Sequence, residues 1–349
     1  MKLVIVHANS PSLSTVANHI AKVAKSLGHE VKTMNEYNQF EVKFFSPNAI
    51  MWIEPVNIPM GSRYAGFYSV VKLSMKNVKQ LWYGTTEGTP YGISATYPVW
   101  HTIDFVANSM YTANKLSEVG YNVVDIVHHG YDPSENNEAI EYAKVLRKKI
   151  ERDFPNKIIF SIVEGPHVRK GWEKLVEALN RVPDNLREKF VVLAVAHKSV
   201  IEKILPNAPK DLVYVVGEFG SLVRKQVLAL YYISDFVLVP SMAEGFGLPI
   251  LEANSLGRLA IFLNMEPFNE FADVNANITF QWDTINEVVK DGVEFELHEY
   301  DPQYLTDAIT EAIDLAKSGE YEDRAKRAYE AVREMTITNL YTRLIKHLE

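Results

Sequence analysis

Residues 236–257, FVLVPSMAEGFGLPILEANSLG, leave the backbone few choices. Four apolar residues, Phe236–Val239, read as a strand buried on both faces. Pro240 and Ser241 end it, and Gly245 and Gly247 mark a tight loop. A helix opens at Leu248 and Pro249, because proline in the first helical position gives up an N–H that would be unpaired there anyway. The free amides of that helix start, beside glycines that allow close approach to the backbone, suit a phosphate. Glu244 and Glu252 bracket the place; carboxylates repel a bare phosphate but accept hydrogen bonds from sugar hydroxyls. The ligand implied is a phosphate joined to sugars. Taken singly, the same residues also describe a plain strand, turn and amphipathic helix, with Glu252 favourably placed on the helix dipole.

The rest of the chain repeats this pattern. Apolar runs at 2–7, 49–53, 79–83, 104–108, 123–127, 157–163, 190–195, 212–216 and 259–263 read as strands, and 41–45 reads as a further short one. Helical spacing of apolar residues separates most of them, as at 13–27, 110–119, 172–182 and 222–232. Apolar strands alternating with helices predict parallel sheets covered on both faces. A length of 349 residues suits two domains. Their division is expected near residue 150, where a charged helical pattern over 135–154 is closed by Pro155. Helical patterns at 302–317, 321–334 and 337–348 end the chain.

A second strand-to-helix junction carries cations. Residues 157–163 lead into Gly165-Pro166-His167-Val168-Arg169-Lys170-Gly171 and then a helix. Lys170 offers a mobile cation and Arg169 a fork of donors for a phosphate. A third junction, Gly84-Thr85-Thr86-Glu87-Gly88, follows the strand at 79–83, and α/β enzymes place working groups at such strand ends. Glu87 there is either a base for an acceptor hydroxyl or a turn residue favoured by its glycines. Gly217, with Glu218 and Phe219, is placed to hold a nucleobase through backbone groups.

Composition narrows the partners. The net charge of −8 argues against nucleic acid, although the first 150 residues carry 14 basic and 12 acidic side chains against 22 and 32 in the remainder. Lys72, Lys76 and Lys79, with Tyr64, Phe67, Tyr68 and Val71, describe either a basic face for a membrane or anionic acceptor, or a solvated helix. No run of about 18 apolar residues exists to span a bilayer. The opening MKLVIVHANS reads as a core strand rather than a signal peptide, so a cytoplasmic location is expected. Cysteine is absent. His128 and His129 point to opposite sides of a strand with no carboxylate at ligand spacing, which does not describe a zinc site.

The ordered string EGFGLPILEA, with Glu244 and Glu252 separated by seven residues, resembles the signature of retaining glycosyltransferases of GT-B fold in the GT4 group. The resemblance extends over most of 79–270, is good at 104–133 and 158–180, and weakens before residue 79. It implies an α/β GT-B fold, with two Rossmann-like doubly wound parallel-sheet domains facing across a cleft. Residues 1–150 would form the acceptor side and 151–330 the nucleotide-sugar side. Residues 331–349 would cross back to the first domain through Leu340, Tyr341, Leu344 and Leu348. It further implies a UDP-, GDP- or ADP-sugar donor, an unidentified glycan, lipid or small-molecule acceptor, and no cofactor or catalytic metal. Lys170, Glu244 and Glu87 would carry the chemistry. Arg169, Ser241, Gly245, Phe246, Gly247, Leu248, Glu252 and Gly217 would bind the donor, Glu252 through the ribose. Three positions depart from the family pattern. The loop Ala8-Asn9-Ser10-Pro11-Ser12 lacks a glycine pair, Thr86 or Glu87 stands where a histidine is usual, and Glu164 stands where an arginine is usual. The missing glycine pair and Glu164 keep open a non-catalytic relative, and a sugar-nucleotide epimerase or hydrolase of the same fold would share the donor site but lack an acceptor cleft.

Overall fold

The computed structural model describes residues 1–54 and 60–349, with 60–64 described by backbone alone. The first sheet holds β1 (Lys2–His7), β2 (Glu30–Met34), β3 (Ala49–Ile53), β4 (Lys79–Gly84), β5 (Asp104–Ala107) and β6 (Asn122–Ile126). They run parallel in the order β2-β1-β3-β4-β5-β6. The second holds β7 (Ile158–Glu164), β8 (Phe190–Ala196), β9 (Val213–Glu218), β10 (Phe236–Val239), β11 (Leu259–Leu263) and β12 (Ile278–Phe280), parallel in the order β9-β8-β7-β10-β11-β12. Its order reverses between β7 and β10, and such a reversal opens a crevice at the carboxyl ends of the strands. Strands β8, β10 and β11 are buried along their whole length, as strands covered by helices on both faces must be.

Helices α1 (Pro11–Ser26), α2 (Gln39–Phe45), α3 (Met60–Ser74) and α4 (Met110–Glu118) belong to the first sheet. Ser10 and Ser109 cap α1 and α4, their hydroxyls accepting from Leu13 N and Thr112 N. Over 41–45 the expected strand is instead part of α2. The Asn38 side chain accepts from Phe40 N at 3.0 Å and Glu41 N at 3.2 Å, and this cap turns the chain helical. Val42 faces the core while Phe40 and Phe44 are 86% and 94% exposed. On α3, Ala65, Tyr68 and Val71 pack in one core with Trp52 and Trp82, while Val70 and Leu73 are exposed. Lys72 donates to Thr102 O at 3.4 Å. The side chain of Tyr64 lies outside the described residues. Among the described residues no helix is long and apolar enough to cross a membrane.

The longest helix, α5 (Pro133–Asp153), contains residue 150, where the domains were expected to divide. Its Ala139, Ala143 and Ile150 join the core of the second sheet. That core also takes α6 (Trp172–Arg181), α7 (Arg224–Ile233), α8 (Leu248–Ser255), α9 (Pro302–Leu315) and α10 (Tyr321–Val332). The last helix, α11 (Ile337–Lys346), returns to the first sheet, where Tyr341, Leu344 and Leu348 pack with Leu3, Ile5 and Ile20. The two passages between the sheets lie side by side: Tyr131 N donates to Met335 O at 3.0 Å and Ile337 N to Tyr131 O at 2.9 Å. A hairpin of β13 (Thr284–Lys290) and β14 (Val293–Glu299) also reaches the first domain, pairing Val293 with Pro90 and Glu294 with Thr89.

Candidate active site

The carboxyl ends of the two sheets face each other across a cavity of about 550 Å³. Lys170, Arg169, Glu244, Glu87, Gly245, Phe246, Gly247, Leu248 and Glu252 all line it. They converge because each sits where a strand gives way to a loop or helix. Glu164 ends β7, Arg169 and Lys170 occupy the turn between β7 and α6, and Glu244 follows β10. Met242 N donates to Arg169 O at 2.7 Å, tying the two loops of the second sheet together. Ser241 is fully buried and Gly217 belongs to β9; neither lines the cavity, whereas Phe219 and Gly220 do.

Charge is concentrated at the sheet reversal. Glu244 is held from both sides, by Arg169 Nη1 at 2.9 Å and by Lys170 Nζ. Arg169 also reaches Glu87 of the first domain and donates to Ala243 O at 2.9 Å. Lys170 meets Glu164 at 2.7 Å. Burial opposes ionisation of Glu244, but Arg169 and Lys170 outweigh it and hold the carboxyl down at about 2. Burial likewise works against the Lys170 ammonium, and Glu164 and Glu244 overcome it, so its pKa is raised. The cluster therefore keeps its cations charged at neutral pH.

Glu252, on α8, meets Arg224 Nη1 at 2.6 Å. Arg224 also binds Glu135 at 3.0 Å, and Glu135 lies 3.0 Å from His19 on α1. Arg224 is the residue that sequence reasoning missed. It stands at the start of a helix following β9, on the same sheet edge as the other junctions, and that position is the signal that marks it. Among the described residues, one group has spacing suited to a metal: ligand atoms of His19, Asp132 and Glu135 lie within 4.8 Å of one another. Lys22 already engages Asp132, and Arg224 engages Glu135.

The two loop glycines are also fitted closely by the protein itself. A Cβ on Gly245 would run into Thr85 Oγ1 and come within 2.8 Å of Thr86 O, both on the first domain. Gly247 has φ +104°, and a Cβ there would lie 2.6 Å from the Phe268 ring. Contacts within the protein are by themselves enough to favour glycine at both. Gly245 O accepts from Ser109 Oγ at 2.8 Å. Phe246 stacks on Phe271 at 4.6 Å and meets the edge of His129 at 4.9 Å.

His129 lines the cavity and is neutral: burial, then the neighbouring His128 and His19, lowers its pKa to about 3. The Asn108 amide donates to its Nε2 at 3.2 Å, and Nδ1 lies 3.0 Å from the Tyr83 hydroxyl. His128 pairs with Glu270 at 3.3 Å. Glu270 in turn accepts from Met110 N and Tyr111 N at 2.7 and 2.8 Å, capping α4 from the other domain. His101 bonds Gly120 O at 3.0 Å, away from the cavity.

Comparison with known proteins bears on this geometry. The family model described as "Glycosyl transferases group 1" matches residues 144–334. The chain is 29% identical over 356 residues to an uncharacterized glycosyltransferase, 335, of Sulfolobus islandicus rod-shaped virus 1, covering 99% of this chain and 100% of that one. A putative glycosyltransferase, 48, of Sulfolobus islandicus filamentous virus is 25% identical over 136 residues, 37% of this chain and 42% of that one. A solved glycosyltransferase from Rickettsia africae superposes with a TM-score of 0.72 at 17% identity, covering 99% and 97% of the two chains. Anabaena HepE in complex with UDP-glucose gives 0.71 at 12% identity, covering 100% and 99%. At these identities the two structures speak for the fold, two parallel-sheet Rossmann-like domains.

Proposed function

Because the chain belongs to the glycosyl transferases group 1 family, we propose that its cleft moves a sugar, a hexose by the company it keeps, from a nucleotide diphosphate sugar to an acceptor hydroxyl. The reaction proceeds with retention of configuration and without a catalytic metal. The single observation that carries this reading is the cation pair Arg169 and Lys170, gathered with Glu244 at the reversal of the second sheet and lining the cavity.

When a nucleoside diphosphate departs, negative charge grows on its phosphates. Preorganised cations and the free amides at Gly247 and Leu248 stabilise that charge inside a partly closed site. Before a ligand arrives, both cations are occupied by Glu244. A diphosphate competes for them and leaves Glu244 able to accept from sugar hydroxyls. Arg224 holds Glu252 where a ribose would meet it. Glu87, bound to Arg169, sets that fork and faces the acceptor side. The EGFGLPILEA string supports a place in the GT4 group and the retaining course, and the UDP-glucose bound by HepE supports a donor of that chemical class.

A panel of UDP-, GDP- and ADP-sugars tests the reading by thermal shift, followed by transfer of labelled sugar to hydroxyl acceptors. At least one donor is expected to raise the melting temperature and to yield a product with the donor's anomeric configuration, in the presence of chelator. An inverted product, or loss of activity with chelator, would overturn the retaining or metal-free part. Rapid conversion of the donor with no acceptor present would point to an epimerase or hydrolase.

A further inference from the structure

Three carboxylates and two cations meet at the reversal of the second sheet, and one of the carboxylates is engaged through a single oxygen. Glu87 fixes Arg169, and Glu244 bridges Arg169 and Lys170. Glu164 is 4% exposed and lines the cavity. One oxygen lies 2.7 Å from Lys170 Nζ; the other, also buried, has no hydrogen-bond partner among the described residues. The groups that face it are few. The turn after its own strand supplies Lys170 and Arg169, the loop after β10 supplies Glu244, and α7 supplies the Tyr231 hydroxyl. In register on β8 stands only Ala196. Arg224, on the same helix as Tyr231, is already engaged by Glu135 and Glu252.

A diphosphate placed on Lys170 and Arg169 would bring its charges against a buried carboxylate that no third cation offsets. Repulsion of this kind is strong where water is excluded. A proton on Glu164 removes it and turns an acceptor into a donor, filling the vacancy at the unpartnered oxygen. We propose that Glu164 meets the donor's diphosphate as a neutral acid, giving a hydrogen bond to a phosphate oxygen, and that donor binding therefore takes up one proton. Burial already raises the Glu164 carboxyl above its ordinary range, with Lys170 opposing and Glu244 reinforcing the shift. The ligand, by sharing Lys170, removes the main opposing influence.

This inference rests on the donor reading above and adds Glu164 as a group that touches the phosphates. By linkage, donor affinity falls by up to about tenfold per pH unit wherever the free protein holds Glu164 ionised and the complex holds it protonated. Titration calorimetry of UDP-glucose and GDP-mannose, in buffers of different ionisation enthalpy across neutral to mildly alkaline pH, measures the uptake directly. Sugar nucleotides serve because they lack the secondary ionisation of a terminal phosphate near about pH 6. The wild-type protein is expected to take up close to one proton. Glu164→Gln, which keeps the shape and a donor, is expected to bind with no uptake and with an affinity independent of pH. Binding without uptake in the wild type overturns the inference alone, as does uptake that persists in a folded Glu164→Gln protein. Failure of the wild type to bind either sugar nucleotide or any other in the panel overturns the donor reading, and this one with it.

Discussion

The two walls of the cavity are made from the same material, the carboxyl ends of parallel strands, yet they carry charge very differently. The second-domain wall presents Glu164, Arg169, Lys170, Glu244, Arg224 and Glu252. The first-domain wall presents Ser12, Thr85, Asn108 and a neutral His129, with Glu87 as its acidic member among the described lining residues. One wall is equipped to manage a change of charge. The other is equipped to position, and it is fastened to the first through Glu87 with Arg169, Ser109 with Gly245, and Glu270 on the start of α4.

If the division of labour holds, substitutions in the charged wall should cost most. Lys170→Ala should slow transfer by roughly ten- to a hundredfold or more, since a charge-assisted hydrogen bond is worth about 1.5–3 kcal/mol and about 1.4 kcal/mol is a decade of rate. Turnover close to wild type, in a protein still folded by circular dichroism, would break the comparison at its strong end. The fastening between the walls comes next. Gly245→Ala forces a methyl into Thr85 and Thr86, and overpacking of this sort costs about 1–3 kcal/mol. Thermal unfolding and transfer rate should both fall; an unchanged pair of values would mean the walls work apart.

The neutral wall has its own signature. His129 in the fold titrates at about 3, below an unfolded histidine at about 6.5, so the unfolded chain binds the extra proton between them. Its contribution to stability is complete above the higher value and drains away as pH falls toward the lower one, by up to about 1.4 kcal/mol per pH unit. Denaturant midpoints measured through that window should fall less steeply in His129→Gln. An identical slope would show that the imidazole is not held neutral. The smallest effect is expected at Glu87→Gln, which loosens one arm of Arg169 while Glu244 and Ala243 keep the other, and should lower the rate by about tenfold at most. A loss equal to that of Lys170→Ala would make Glu87 part of the chemistry and erase the contrast between the walls.

The same contrast explains what could be read from the residues. The gathering of Lys170, Arg169 and Glu244 was legible because each lies in a strand–turn–helix string whose parts are neighbours in sequence, and parallel strands bring such strings to one edge. The parallel sheets were legible for the same reason, through uninterrupted apolar runs such as Phe190–Ala196. Arg224 was not, because its meaning lies in Glu252, 28 residues on, and in Glu135, 89 residues back. The close fit around the glycines was not legible either, because their neighbours, Thr85 and Phe268, are supplied by other parts of the fold. At α2 a single side chain, Asn38, overruled an alternating pattern that reads equally well as a strand.

The paired passages at Tyr131 and Ile337 have a mechanical consequence. A body joined to another by one thread swivels at will. Joined by two threads pinned side by side, and met again where the hairpin pairs with Thr89 and Pro90, it is braced against spinning. The loops carrying Lys170 and Glu244 are thereby held opposite Glu87 and Thr85. The final helix is the second pin.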